Sequence, residues 1–499
     1  MDYLKIYTNW ANDIFFDEYT RKELKCITSE KEIEDRFYKE LEFGTGGLRG
    51  IMGAGTNRLN KYTVGKVTLG LGLYLMDTYG KDVCIERGVV IGFDTRNNSK
   101  EYARVVADVL TGLGLRVYLM KAARPTPQLS FSVPYYKALA GVVLTASHNP
   151  SEYNGFKISF ENIGNAYGDT IKEFGKFTNQ LVFDNGHGSV TKKDIKEAYL
   201  NLLESSLSIK DNNLKVVVDL GNGTSSVVVA DIMKRLNLDC VILNEKKDLS
   251  IPTEYLDPSV KEKMMELSQK VVEYHAQIGI GLDGDADRIG VVDENGYILT
   301  TEEYMVIMYR YLNDKLKNRS ALFDVKCGMT LTDELKKLNI KPVMNRTGNS
   351  YQNLKMQTGD FDFGGEYSGH VFFRDKWIGT DDGLYAGLRM IEVMSNTNKK
   401  LSELRGGLSK VYGTPEIKVL VREDNKFAIV EKIKEAAYKL NVKVNDIDGV
   451  RIELDDSWIL VRASNTGPNL TVRIESRDED KMNSLKEKVL NYIDELKNN

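Results

Sequence analysis

Histidine is scarce in this chain. Of 499 residues only four are histidine: His148, His187, His275 and His370. So few imidazoles nearly exclude a histidine-rich metal site. Cysteine is equally thin, with Cys26, Cys84, Cys240 and Cys327 widely scattered and no CxxC pair. Neither a zinc ribbon nor a disulfide framework is indicated, and the pattern suits a reducing cytoplasm. There is no excess of positive charge: 68 Lys and Arg stand against 72 Asp and Glu, a formal net charge of −4. No global basic field exists to hold nucleic acid or an anionic membrane. Long apolar runs are missing too. Stretches such as Val67 to Met76 are too short to span a bilayer and carry glycines, and the opening MDYLKIYTNW has no apolar core of signal-peptide length. These absences predict a cytosolic protein. No P-loop is present, and the glycines of FGTGGLRG (Gly44, Gly46, Gly47, Gly50) match neither that spacing nor GxGxxG. Nucleotide binding therefore has little support.

What is present is ordinary globular composition, 42% hydrophobic and 28% charged, in a length that allows three to five domains. The first forty residues read as amphipathic helices, as in Glu18 to Glu42. After the glycine-rich segment Phe43 to Asn60, helical spacing runs from Tyr62 to Leu75. Strands are predicted at Val89–Phe93, Leu115–Met120 and Gly141–Leu144, with a helix over Ser99–Leu113. The alternation recurs at Leu214–Asp219, in the helix that follows GNGTSS to Leu236, and at Ile278–Leu282. Phe361–His370 and a helix near Asp382–Met394 form a third unit. The last ninety residues differ. Strands at Ile417–Val421, Val450–Leu454, Trp458–Arg462 and Asn469–Glu475, with helices at Lys426–Leu440 and Asp478–Lys497, make an α+β tail. The whole reads as α/β, with three related units and a smaller C-terminal domain.

The segment Asp283-Gly-Asp285-Ala-Asp287-Arg288 follows an apolar strand. Three carboxylates at spacing two repel one another unless a cation offsets them. All-oxygen ligands select a hard ion such as magnesium or calcium. An EF-hand is the rival, and Glu294 falls at its twelfth position, but Arg288 stands where that loop requires glycine and the flanks are strands, not helices.

The segment Thr145-Ala-Ser147-His148-Asn149-Pro150 also follows a strand. A serine hydroxyl is a weak nucleophile without an activating base or metal, and the metal loop is its expected partner. Lys157 lies ten residues on, within reach of the same loop. A turn capped by Ser147 and Asn149 explains this loop equally well in isolation. A serine hydrolase could draw on His370, but no GxSxG elbow surrounds Ser147.

Two further loops carry polar groups. In Gly364-Gly365-Glu366-Tyr367-Ser368-Gly369-His370 the Glu366 carboxylate can accept from adjacent sugar hydroxyls, and Glu366 and Ser368 share a face if the segment is extended. In Arg462-Ala-Ser464-Asn465-Thr466-Gly467-Pro468, with Arg473 beyond, a guanidinium fork, hydroxyls and an amide make a phosphate cradle.

TASHNP, DGDADR, GGEYSGH and RASNT, in that order, resemble the α-D-phosphohexomutase family, which includes phosphoglucomutases and phosphomannomutases. The resemblance spans nearly the whole chain. ELEFGTGGLRGIMGAGTNRLNKYTV, RPTPQLSF and EYNGFK look like the phosphoglucomutase–phosphopentomutase branch, while GGEYSGH and RASNT look like the dual glucose/mannose branch. It implies four domains around a central cleft, three topologically similar α/β domains with mixed sheets and a smaller C-terminal α+β domain. Their expected bounds here are 1–190 (phosphoserine loop), 191–298 (metal), 299–408 (sugar) and 409–499 (distal phosphate). The implied reaction interconverts hexose 1- and 6-phosphates through a phosphorylated Ser147 and a bound hexose 1,6-bisphosphate. By the same resemblance, Asp283, Asp285 and Asp287 bind Mg2+ with the oxygen on Ser147, Arg49 and His148 lie beside the phosphoserine, and Lys157 and His370 are the acid/base candidates. Arg288, Arg346, Thr347, Gly348, Glu366 and Ser368 meet the substrate, and Arg462, Ser464, Asn465, Thr466 and Arg473 hold its distal phosphate. Gly467 stands where many relatives have Glu, Asn349 where relatives often have His or Phe, and Arg346 where some have Lys. The expected partners are small sugar phosphates, with no nucleic acid and no membrane, for a monomer or homodimer. Rival readings are a phosphopentomutase, a metal-dependent phosphatase and a non-catalytic sugar-phosphate-binding relative.

Overall fold

The computed structural model describes residues 2–44, 47–161, 177, 189–210, 213–245, 257–440, 442–464 and 467–498. Four sheets organise these residues, and three of them repeat one plan. Three parallel strands lie in the order third, first, second, and a fourth strand turns back antiparallel beside the third. In the first unit these strands are Val89–Phe93, Val117–Met120, Ala140–Leu144 and Tyr153–Phe160. In the second they are Lys215–Asp219, Asp239–Leu243, Ile278–Leu282 and Ile289–Asp293. In the third they are Ser320–Asp324, Lys341–Asn345, Phe363–Gly365 and Val371–Phe373. The first sheet also gains Gly47–Ile51, antiparallel to Tyr153–Phe160, and Val190–Lys193 at its other edge.

Parallel strands are covered by helices on both faces, so they are apolar along their whole length rather than alternating. Val89–Phe93, Ala140–Leu144 and Ile278–Leu282 are each buried at every position. The three units share one continuous core that runs from Val90 and Leu129 through Val216 and Ile278 to Phe323, Phe363 and Leu384. Helix Gly383–Thr397 is buried on nearly every side within it.

This repeat places three motifs in one position. TASHNP lies between the third and fourth strands of unit one, DGDADR between those of unit two, and EYSGH between those of unit three. All three are the same hairpin connection, opening at the carboxyl end of a parallel strand, where open α/β sheets bind ligands.

The C-terminal sheet is antiparallel, in the order Tyr412–Gly413, Asn469–Ser476, Ser457–Ala463, Val450–Glu453, Lys443–Asn445, with Ile417–Leu420 also pairing Asn469–Ser476. Helices Lys426–Lys439 and Glu479–Asn498 pack on it around a core of Ile429, Ile433, Val461, Val472 and Ile493. Arg462 lies at the end of Ser457–Ala463, which pairs antiparallel with Asn469–Ser476.

Two expectations are corrected. The strand expected from Leu115 begins at Val117. The segment Phe361–His370 is not one extended run: Phe363–Gly365 ends in a turn, closed by Gly369 N donating to Glu366 O at 3.1 Å, so strand alternation does not govern Glu366 and Ser368. Helices Tyr3–Asn12, Glu18–Lys25 and Glu30–Phe37 pack Trp10, Phe16, Leu24 and Phe37 against Ala54 and Tyr62, bracing the loop that follows the Arg49 strand. Among the described residues no helix is long and apolar enough to cross a membrane.

Candidate functional site

Ser147 has a left-handed backbone, φ 52°, a conformation costly for a non-glycine residue unless its surroundings impose it. Arg96 imposes it. Its Nη2 donates to Ser147 O (2.5 Å) and Asn149 O (2.7 Å), and its Nη1 to Pro150 O (2.7 Å) and Tyr153 O (3.1 Å). Asp94 holds the same guanidinium from behind, 3.3 Å from Nε. The Ser147 hydroxyl then points out of its own unit and donates to Asp283 Oδ2 at 2.9 Å. The first and second hairpin loops thus meet at the nucleophile.

His148 Nδ1 lies 3.2 Å from Ser147 Oγ, and its Nε2 lies 3.5 Å from Arg288 Nη2. A guanidinium only donates, so Nε2 faces it as acceptor and the proton of the neutral ring sits on Nδ1, aimed at Oγ. Burial, then the nearby Arg288 charge, holds the imidazole well below its usual pKa, which keeps it neutral. His148 therefore presents a donor to the serine oxygen. Arg49 Nη1 donates to Asn149 Oδ1 at 2.7 Å on the other side of the loop.

The three aspartates are completely buried, and their ligand atoms all lie within 4.8 Å of one another. Ala286, at φ 59°, bends the chain so that alternate carboxylates converge. At an effective dielectric of about 20, two unit charges about 4 Å apart repel by about 4 kcal/mol, so three such groups need cations. Lys157 supplies one, with Nζ donating to Asp285 Oδ2 and Asp287 Oδ2, both at 2.8 Å. Arg288 supplies another through space, its charge favouring ionised Asp283 and Asp287, while its guanidinium Nη1 donates to Asp257 Oδ2 at 2.8 Å and its uncharged backbone N to Asp283 Oδ1 at 3.2 Å. Burial disfavours the ionised form of every aspartate in the loop. Lys157 outweighs it at Asp285 and Asp287, which are held low, whereas burial and the charges of Asp287 and Asp285 push Asp283 well above the usual range. Among the described residues Asp285 Oδ1 remains buried without a hydrogen bond, and Asp287 Oδ1 is met only at 3.4 Å by His370 Nε2. An all-oxygen cluster of three buried carboxylates with an unpartnered acceptor at Asp285 Oδ1 fits a hard divalent cation. Thr126 fastens this loop to the first unit, its Oγ1 donating to Asp285 Oδ2 at 2.6 Å.

The third loop closes over the same aspartates. His370 Nε2 is 3.4 Å from Asp287 Oδ1 and 3.9 Å from Asp381 Oδ2. Its Nδ1 is 3.0 Å from Ser368 Oγ and 3.2 Å from Glu366 Oε2. Glu366 and Ser368 do converge, as the strand argument expected, but on His370 and through a turn. Burial pulls the His370 pKa down, yet Asp287 more than offsets it and the ring is pushed up to about 10. Asn349, where relatives often have His or Phe, donates to Asp381 Oδ2 at 3.1 Å.

The segment Arg346-Thr347-Gly348 joins this loop to the C-terminal domain. Gly348 N donates to Glu366 Oε1 (2.5 Å), Thr347 N to Asp448 Oδ2 (3.0 Å) and Arg346 Nε to Ile447 O (3.0 Å). Arg462 also donates through Nε to Asp448 Oδ2 (3.0 Å), while its Nη2 is buried with no hydrogen-bond partner. Ser464 borders Arg462, and Lys426 Nζ donates to Ser464 O (2.8 Å) and Gly467 O (3.3 Å), pinning both ends of the turn. Asn465 and Thr466, expected here, lie outside the described residues. Arg473 does not join this loop. Its guanidinium stacks on Tyr367 at 3.9 Å and is taken up by Lys326 O, Glu302 Oε2 (3.2 Å) and Glu475 Oε1 (2.5 Å). Its Nη1 and Nη2 are thus engaged by a carbonyl and two buried carboxylates, and it bolts the third unit to the fourth.

Sequence reasoning missed Arg96, Asp257, Asp381 and Asp448. Asp94-Thr-Arg96 at the end of a strand was a visible signal for the first. The other three acids have no local signature, because their partners are 14 or more residues away in sequence.

Comparison with known proteins places this geometry. Models described as phosphoglucomutase/phosphomannomutase, alpha/beta/alpha domains I, II and III, match residues 40–181, 197–296 and 300–412, and the C-terminal domain of the same family matches 416–491. The chain is 33% identical over 400 residues to a phosphomannomutase/phosphoglucomutase of Pseudomonas aeruginosa, covering 80% of this chain and 85% of that one. It is 32% identical over 459 residues to a probable phosphoglucosamine mutase of Pyrococcus abyssi, covering 89% and 96%. The solved structure of a phosphoglucomutase/phosphomannomutase family protein from Burkholderia thailandensis superposes with a TM-score of 0.80 at 28% identity, covering 91% of this chain and 97% of that one.

Proposed function

The chain belongs to the phosphoglucomutase/phosphomannomutase family, whose members are phosphomutases of the isomerase class, and we propose that it interconverts hexose 1-phosphate and hexose 6-phosphate, of glucose or mannose or both, through a phosphorylated Ser147. One observation carries the reading: the Ser147 hydroxyl is buried against Asp283 at 2.9 Å, inside a carboxylate cluster suited to a divalent cation.

In the first step the phosphoryl group leaves Ser147 Oγ, and a sugar hydroxyl oxygen forms the new P–O bond. The hydroxyl proton passes to a side chain; the candidates are His370 and Lys157, both cationic as described above, and either accepts it only after losing its own proton. The resulting 1,6-bisphosphate turns within the cleft and returns its other phosphoryl to Ser147 Oγ, the proton going back to the new sugar hydroxyl. Nothing is hydrolysed and no co-reactant is consumed. Asp283, Asp285 and Asp287 would hold Mg2+, which, when bound, offsets charge on the phosphoryl oxygens. Arg96 fixes the Ser147 backbone, and His148 donates to the serine oxygen. Glu366 and Ser368 receive the sugar hydroxyls, and Arg462 receives the phosphate that is not reacting. Burial of Ser147 keeps water from the phosphoserine.

Intact mass should exceed the sequence mass by about 80 Da, one phosphoryl group, located on Ser147 by peptide mapping. Coupled assays with glucose 1-phosphate and mannose 1-phosphate, each with a trace of its 1,6-bisphosphate, should give turnover that Ser147→Ala reduces to background. Retained activity in that variant would sink the mechanism. Ribose 1-phosphate and glucosamine 6-phosphate arms test the other sugars, and steady release of inorganic phosphate would instead mark a phosphatase.

A further inference from the structure

Asp448 lies in the turn between strands Lys443–Asn445 and Val450–Glu453, 14 residues before Arg462. A single oxygen of its carboxylate, Oδ2, accepts from two elements at once: Arg462 Nε and Thr347 N, both at 3.0 Å. The turn is pressed onto Arg462 itself. Gly449 has φ +79°, and a Cβ there would lie 2.5 Å from Val461 O and 2.6 Å from Arg462 Cβ, so only glycine admits this approach.

The arrangement divides the Arg462 guanidinium. Nε is spent on Asp448, while Nη2 at the far end is buried without a hydrogen-bond partner. An unpaired buried donor is costly, and the one here belongs to a group whose geometry suits a phosphate oxygen. A carboxylate beside a phosphate site would ordinarily repel the ligand. This one is engaged by two donors, and it meets the fork from the Nε side. On its other side Thr347 continues into Gly348, whose N–H donates to Glu366, the sugar-binding carboxylate of the proposed reaction.

We propose that Asp448 is a positioning residue that aims Arg462 at the distal phosphate and ties that aim to the sugar loop through Thr347. The proposal rests on the functional reading above, in which Arg462 anchors the non-reacting phosphate. In a mutase both orientations of the bisphosphate present a phosphate to this anchor, so one device serves both half-reactions.

The test has a kinetic arm and a binding arm. Asp448→Ala should raise KM for glucose 1-phosphate about tenfold, the loss of one charge-assisted hydrogen bond, with kcat changed less than about threefold. Asp448→Asn keeps an acceptor oxygen and should restore KM to within about threefold. Asp448→Ser, too short to reach Arg462 but suited to a turn, should behave as the alanine variant and replaces it if the alanine protein does not fold. In the binding arm, glucose 6-phosphate is titrated by calorimetry into the full-length Ser147→Ala protein, with and without the Asp448 substitutions, and the same loss and recovery should appear in Kd. An unchanged or lowered KM or Kd in the alanine variant, a fall in kcat alone, or failure of the asparagine variant to recover would overturn the proposal, as would absence of glucose 6-phosphate binding to the parent. If the wild-type protein binds glucose 6-phosphate but turns over no hexose phosphate, the functional reading fails and the binding arm still decides Asp448.

Discussion

At the junction of the serine and metal loops three buried carboxylates crowd together, and among the described residues Asp285 Oδ1 has no hydrogen bond, while the loop's own Arg288 Nε is also buried without one. At the distal loop the atom left over is a guanidinium nitrogen, Arg462 Nη2. The first end thus gathers carboxylates around an unmet acceptor, and the second leaves a guanidinium donor unmet. Buried polar groups are almost always paired in native proteins, so each surplus points to its complement, a cation at the first end and an anion at the second. The supports differ too. The acidic end stands on parallel strands buried at every position, whereas the distal end is an antiparallel turn held by contacts across a domain junction. A ligand that carries phosphate at both ends, and meets a metal at only one of them, suits this asymmetry.

The comparison can be broken most forcefully at the acidic end. Removing divalent cations with a chelator should cost about a thousandfold in turnover, the order expected when several kcal/mol of charge stabilisation are lost. Added magnesium should restore the wild-type protein but not Asp283→Asn, and full activity in the chelated enzyme would show that the acceptor surplus has another purpose. At the distal end, Arg462→Ala should raise KM for hexose phosphates by about 10- to 100-fold, as for a lost hydrogen bond to a charged group. Its phosphoserine content by intact mass should stay at the wild-type level, because Ser147 is held by other elements. A large fall in phosphorylation without a change in KM would contradict that division of labour. The smallest catalytic effect is expected at Arg473. Arg473→Met leaves Glu302 and Glu475 buried without their cation, and breaking such a buried pair costs about 3–5 kcal/mol. Thermal unfolding should therefore shift down by several degrees, with KM altered less than about threefold. A tenfold rise in KM at unchanged stability would return Arg473 to the phosphate site.

Wherever a residue acts within its own loop, its chemistry could be read from the sequence. Three acids at spacing two behind an apolar strand announce a cation site, and the serine beyond Gly141–Leu144 is already placed at a strand end. Residues that act on another loop could not be read so. Arg96 draws no functional reading from its own segment, and Arg473 reads as a phosphate ligand because it follows RASNT. Only the fold brings Arg96 onto Ser147 O, and only the fold delivers Arg473 to Glu302, 171 residues away in sequence. The strand rule for Glu366 and Ser368 failed for a related reason: a turn closed by Gly369 N, not side-chain alternation, sets their direction.

The pattern of apolar strands ending in polar loops was enough by itself to specify three α/β hairpin units, a different C-terminal unit and the chemistry each loop offers, because hydrophobic periodicity and loop composition act over a few residues. Which loops face one another was decided only in three dimensions. Ser147 finds Asp283 across 136 residues and Lys157 finds Asp285 across 128. Charge compensation is a matter of distance in space, and the packing of one unit on another sets that distance.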